Sequence, residues 1–206
     1  MKNILPLILC ILFSSCSFFL KKLGGIKNPK METFHSINEY SKTLTIDSTS
    51  IVFAKDSAAF FKINRMFAGS PEIIIFSGSK RYIPYKNDTS TCNASVDNVL
   101  KSLCQVNGNG IKTKKVFEFD SLFSCFVDPN QSLKSFAPAN YDYVVLINYA
   151  KFADGINKTH IIPWNKIIKA DSLSCRAKYI FVNMDYLKSW GIKESSLPRF
   201  KVKTTS

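Results

Sequence analysis

The chain has 206 residues, 46% of them apolar and 13% aromatic, and its 28 Lys and Arg against 15 Asp and Glu give a formal charge of +13. So much apolar surface excludes a disordered polyelectrolyte and suffices for one compact core. The charge favours anionic partners, but only four of the basic residues are Arg and no basic run exceeds two residues, which argues against nucleic-acid readout, where Arg is favoured at base edges.

The N-terminus, "MKNILPLILCILFSSCSFF", sets one Lys before an apolar run from Ile4 to Phe13 and closes on Ser14 and Ser15 ahead of Cys16. This is the layout of a secretory signal peptide, residues 1–15. A membrane-spanning helix needs about 20 apolar residues, so an uncleaved anchor, extended through Leu20, is the lesser alternative. The small pair before Cys16 resembles a bacterial lipobox, with Phe13 where Leu is usual. That resemblance implies diacylglycerol on Cys16; cleavage by an ordinary signal peptidase is the alternative. Acyl chains would hold the protein to a bilayer. Residues 16–30, with Lys21, Lys22, Lys27, Lys30, two glycines and a proline, read as a basic tether. Its lysines either meet anionic head groups or are solvated spacer charges. Without Lys2 the mature charge is +12.

Residues 31–206 read as a single α/β domain in two blocks, 31–105 and 114–200, separated by the linker-like "CQVNGNGIKTKK". In the first block, Phe34, Ile37, Tyr40 and Leu44 recur at helical spacing behind Thr33 as N-cap. "SIVFAKD" is a strand. "SAAFFKINRMFAG" is a helix with Ala58, Phe61, Ile63 and Met66 as its apolar set. "SPEIIIFSGSKRYIPYK" is a hairpin turning at Ser-Gly-Ser. "SVDNVLKSLCQ" is a helix capped by Ser95, with Val96, Val99, Leu100, Leu103 and Cys104 on one face.

The second block opens with "KVFEFDSLFSCFVD", strand then helix, and a turn at "DPNQS". "YDYVVLINYAKF" follows, a strand apolar enough to be buried on both faces. A helix from Thr159 would place Pro163 in its first turn, where proline is tolerated. "AKYIFVNMD" is the last strand, giving a β-α-β order.

The segment "YVVLINYAKFADGINKTHIIPWNKIIKADSLSCRAKYIFVNMD" resembles the first βαβ unit of a thioredoxin-like fold. "SPEIIIFSGSKRYIPYK" resembles that fold's proline-led hairpin and "DNVLKSL" its closing helix. The halves stand in swapped order, so the resemblance implies a thioredoxin-like sheet flanked by helices with a permuted order of its two halves. The whole is similar to a group of small, largely uncharacterised lipoproteins of Gram-negative bacteria. It implies that Pro71 is the cis-proline beside the active-site turn, and that Tyr149, Phe152, Asp154, Trp164 and Trp190 surround a groove for an extended peptide. Core and edge packing is the alternative for the aromatics.

Where the fold family carries C-x-x-C, this chain has Ala153, Asp154, Gly155 and Ile156. Neither the activated thiol nor the resolving thiol exists, so the usual oxidoreductase cycle has no residues to run on. Four cysteines remain beyond Cys10 and Cys16. Cys92, ahead of a helix start, is the candidate for a single-thiol redox enzyme; Cys104 reads as a small core residue. The pairing of Cys92, Cys104, Cys125 and Cys175 is open among three possibilities. His35 and His160 lack the companions a metal site needs, and no phosphate loop or hydrolase elbow is present. Asp185, at a strand's carboxyl end, reads as a turn or cap residue before a ligand-binding one. The expectation is therefore a protein lipid-anchored to a bacterial membrane in the cell envelope, facing periplasm or exterior. Its domain would bind an extended peptide or envelope protein without a cofactor. The alternative is thiol chemistry at Cys92.

Overall fold

A computed structural model describes residues 25–67, 69–87, 96–130, 137–170 and 173–199. Cys16, Cys92, the Ser95 cap and the signal segment lie outside the described residues. No helix among the described residues is long and apolar enough to cross a membrane.

In chain order the elements are β1 (Met31–Glu32), α1 (Phe34–Thr43), β2 (Ile51–Ala54), α2 (Ser57–Met66), β3 (Ile73–Ser77), β4 (Tyr82–Ile83), α3 (Val96–Lys101), α4 (Phe119–Phe123), β5 (Phe126–Val127), β6 (Tyr143–Tyr149), α5 (Asp154–Lys169), β7 (Ala177–Asn183) and β8 (Tyr186–Leu187). Six strands form one mixed sheet in the order β4-β3-β6-β7-β2-β5, and β1 pairs with β8 in a small parallel ribbon. β6 lies parallel to β7, with Leu146 opposite Ile180, and antiparallel to β3, with Leu146 opposite Ile74. Thus the βαβ unit of the second block sits beside the hairpin of the first. This α/β arrangement is consistent with a thioredoxin-like sheet whose halves are swapped in sequence.

The apolar runs explain why both faces of the sheet are covered. Side chains alternate across a strand, so Ile73, Ile75, Val145 and Ile147 face a layer holding Ile37, Leu100 and Trp164 from α1, α3 and α5. Ile74, Phe76, Val144 and Leu146 face Phe60, Ile63 and Leu122 from α2 and α4. A fully buried Ile or Val contributes on the order of 1.5–3 kcal/mol; a one-residue slip of β6 would exchange every one of these contacts between faces.

Thr33 caps α1 as expected, its hydroxyl accepting from Ser36 N–H at 3.1 Å while Ser36 Oγ accepts from Thr33 N–H at 3.1 Å. α2 is capped by Asp56, whose Oδ1 accepts from Ala59 N–H at 2.7 Å. The buried face differs from the expected set: Ala59, Phe60, Ile63 and Phe67 are buried against the sheet, whereas Phe61 is 47% exposed.

Three further expectations are corrected. Around 116–128 the order is helix α4 then strand β5, because Phe119, Leu122 and Phe123 follow helical spacing into the core. α5 begins at Asp154, five residues before Thr159, so Pro163 stands inside the helix instead of in its first turn. Cys104 is not a core thiol: it is joined to Cys175 across 71 residues. Cys125 is free and buried.

Candidate functional site

β6 delivers Tyr149 and Ala150 to a short 3-10 turn, Lys151–Ala153, from which α5 departs. The early start of α5 places Ala153, Asp154, Gly155 and Ile156 at a helix N-terminus, where unpaired N–H groups favour negative charge. Asp154 meets that preference. Burial works to raise its carboxyl, but hydrogen bonds from Lys158 and Tyr40 and the charges of Lys158 and Lys27 outweigh it and hold it below the usual carboxylate range.

Asp185 holds the turn from the end of β7. It is 3% exposed, accepts from Lys151 N–H and Asn183 Nδ2 at 2.8 Å each, and takes a further backbone hydrogen bond from Phe152. Burial pushes its carboxyl up to about 6 against those hydrogen bonds, with Glu32 adding to the rise. All its described partners are structural, so Asp185 acts as the cap that fixes the turn's position. Lys151 Nζ in turn pairs with Glu32 at 2.9 Å.

The loop before β3 reaches the same place from the other side. The Ser70–Pro71 peptide is cis, as the resemblance implies for Pro71. Asn148 on β6 fastens this loop: its side-chain amide donates to Gly69 O at 2.8 Å and accepts from Glu72 N–H. Glu72 is itself buried, ion-paired to Lys86 at 2.6 Å and accepting from Gly69 N–H at 3.0 Å.

Between loop and turn lies a cavity of about 400 Å³ whose walls include Phe60, Phe67, Ser70, Asn148, Phe152 and Tyr186. It is mostly apolar with a few polar groups, the composition expected of a binding site. The Ser70 hydroxyl is buried and has no hydrogen-bond partner among the described residues.

Of the residues expected to form a groove, the structure brings together Phe152 and the loop at Pro71. Pro71 itself is buried, and its neighbour Ser70 presents the loop to the cavity. Tyr149 and Trp164 are corrected: both are fully buried in the α1/α5 layer. Tyr149 exchanges a hydrogen bond with Ser41 at 2.7 Å, and its phenol is raised by burial. Trp164 Nε1 donates to Asp97 on α3 at 2.6 Å. The reason is geometric, since alternation along β6 turns Tyr149 to the face opposite the Phe60 layer, and Trp164 sits three turns into α5. Asp154 stands at the helix start, bound to Lys158 at 2.9 Å, and does not line the cavity. Trp190 packs on Phe60 with ring centroids 5.3 Å apart. Sequence reasoning missed Asn148, Glu72 and Tyr186. The signal for Asn148 was available, as the one polar residue inside "VVLINYA".

The turn carries no thiol, with Ala153 and Ile156 at its two ends, and no cluster of metal-ligating side chains occurs among the described residues. Comparison of the chain with protein-family models, with curated proteins and with solved structures finds no match in any of the three.

Proposed function

We propose that this is a lipid-anchored protein of the cell envelope whose thioredoxin-like domain binds an extended peptide or envelope protein and performs no thiol exchange. The observation that carries the reading is the pairing of a cavity beside the Ser70–Pro71 loop and Phe152 with a helix-start turn that holds no sulfur. Grooves of this kind recognise extended chains through main-chain hydrogen bonds and pockets for alternate side chains. The Cys104–Cys175 disulfide supports an oxidising compartment, and the sequence around Cys16 supports the acyl anchor.

A photoreactive residue in place of Asn64, exposed on the cavity rim, tests the reading. In intact cells it is expected to cross-link an envelope protein, whereas the same residue at Lys166, exposed on α5, does not. No adduct at position 64, or equal adducts at both positions, contradicts it. The intact mass of the mature protein tests the anchor: acylation on Cys16 is expected, and an unmodified N-terminus removes it.

A further inference from the structure

The chain ahead of β1 does not simply trail away from the domain. Lys27 N–H donates to the carbonyl of Phe152 at 2.7 Å, a main-chain contact with the turn itself. Two residues earlier, Gly25 has φ +58° and lies against Gly155 so closely that a Cβ on it would stand 2.8 Å from Gly155 N and 2.9 Å from Gly155 Cα. Two residues later, Pro29 is buried and forms one wall of the 400 Å³ cavity. Beyond it, Glu32 is held by Lys151 at 2.9 Å, and β1 pairs with β8 in parallel.

These are the elements of peptide recognition: a backbone hydrogen bond, a side chain seated at a pocket, and a position where only glycine fits. We propose that residues 25–29 are the groove's resident occupant, so that the turn at 152–155 is a main-chain docking ledge for an extended segment of pattern Gly-x-x-x-Pro, filled in cis by this chain's own strap. The inference rests on the reading of the cavity as a peptide site and specifies its ligand: glycine over Gly155, a free N–H two residues on facing Phe152 O, and proline two residues beyond that against the cavity. A β-branched residue at the glycine position is refused by backbone atoms that cannot rotate away. An outside peptide binds only when the strap lifts, and a strap closed nine-tenths of the time weakens that peptide about tenfold. The strap is also the piece of chain that joins the domain to residues 16–24, so the docking ledge and the proposed membrane tether share one segment.

The test uses the full mature chain and, as probe, a blocked peptide of residues 25–32, GIKNPKME. Gly25→Val forces the strap off the ledge by steric conflict, and Lys27→Pro removes the donor to Phe152. Neither residue belongs to a helix or strand. Both variants are expected to bind the probe about tenfold more tightly than the wild type, and Gly25→Val to lose the hydrogen-exchange protection of Lys27 N–H. A probe with Val at its first position is expected to bind neither. Equal affinity in wild type and variants overturns the proposal, as does wild-type Lys27 N–H exchanging at the rate of the free peptide. A wild-type dimer dissolved by Gly25→Val would place the strap on a second copy and overturn the cis assignment. Lys27 protection reports the strap whether or not anything cross-links at position 64, so the two readings fail separately.

Discussion

Asn148 and Glu72 bind each other twice across the junction of β6 and the loop before β3: Asn148 N–H donates to Glu72 O at 3.0 Å, and Glu72 N–H donates to the Asn148 side-chain carbonyl. A third bond runs from Asn148 to Gly69 O. Together they set the distance between the cis-proline loop and the turn that carries Phe152.

Asn148→Leu keeps the size of the side chain but strips the buried Glu72 N–H and the part-buried Gly69 carbonyl of their partners. Unsatisfied buried polar groups cost about 1–3 kcal/mol each, so urea unfolding is expected to show a loss of about 2–4 kcal/mol. A loss under ~1 kcal/mol would mean that the loop is positioned by something else.

Asp185 gives a pH dependence with a defined sign. Its carboxyl titrates at about 6 when folded, above its ordinary value of 3.8. Between those values the folded chain holds the proton and the unfolded chain has released it, so stability falls as pH rises through the window. The fall attributable to Asp185 is on the order of 3 kcal/mol at most. Unfolding measured from pH 4 to 6.5 is expected to be flatter in Asp185→Asn than in the wild type; parallel curves would remove the buried carboxyl from the account.

How much of this was legible in the sequence divides along physical lines. The strands at 51–54, 73–77, 143–149 and 177–183 announce themselves, because continuous β-branched runs fit a sheet buried on both faces. The hairpin and the βαβ unit were legible too, since each is local in sequence. Pro163 misled the start of α5: a proline reads as a first-turn residue, but here the helix extends nine residues ahead of it. The groove was the least legible part. Whether Tyr149 faces the cavity or the opposite layer depends on which side of β6 each helix covers, a relation no local pattern carries. The strap was invisible for the same reason: Gly25 and Lys27 belong to a stretch that reads as a basic tether, and only the fold sets Gly25 against Gly155.

The Cys104–Cys175 bond ties the turn after α3 to the chain entering β7 and closes a loop spanning 71 residues. Disulfides typically contribute 2–4 kcal/mol, mainly by restricting the unfolded chain. The paired substitutions Cys104→Ser and Cys175→Ser are expected to lower unfolding free energy by about that amount while leaving probe binding at the Phe152 ledge unchanged. A parallel loss of binding in the folded variant would couple the bond to the site.

The proposed function requires that the turn at the start of α5 have the frame of a dithiol site without its thiols. The direct measurement is disulfide reduction of insulin by dithiothreitol, compared between the wild type and the double variant Ala153→Cys, Ile156→Cys, which restores a thiol at each end of the turn. The account predicts no catalysis by the wild type, and in the variant an internal disulfide with clear acceleration, since a helix N-terminus lowers the first thiol's pKa. Catalysis by the wild type, or a variant whose new cysteines neither pair nor react, would contradict it.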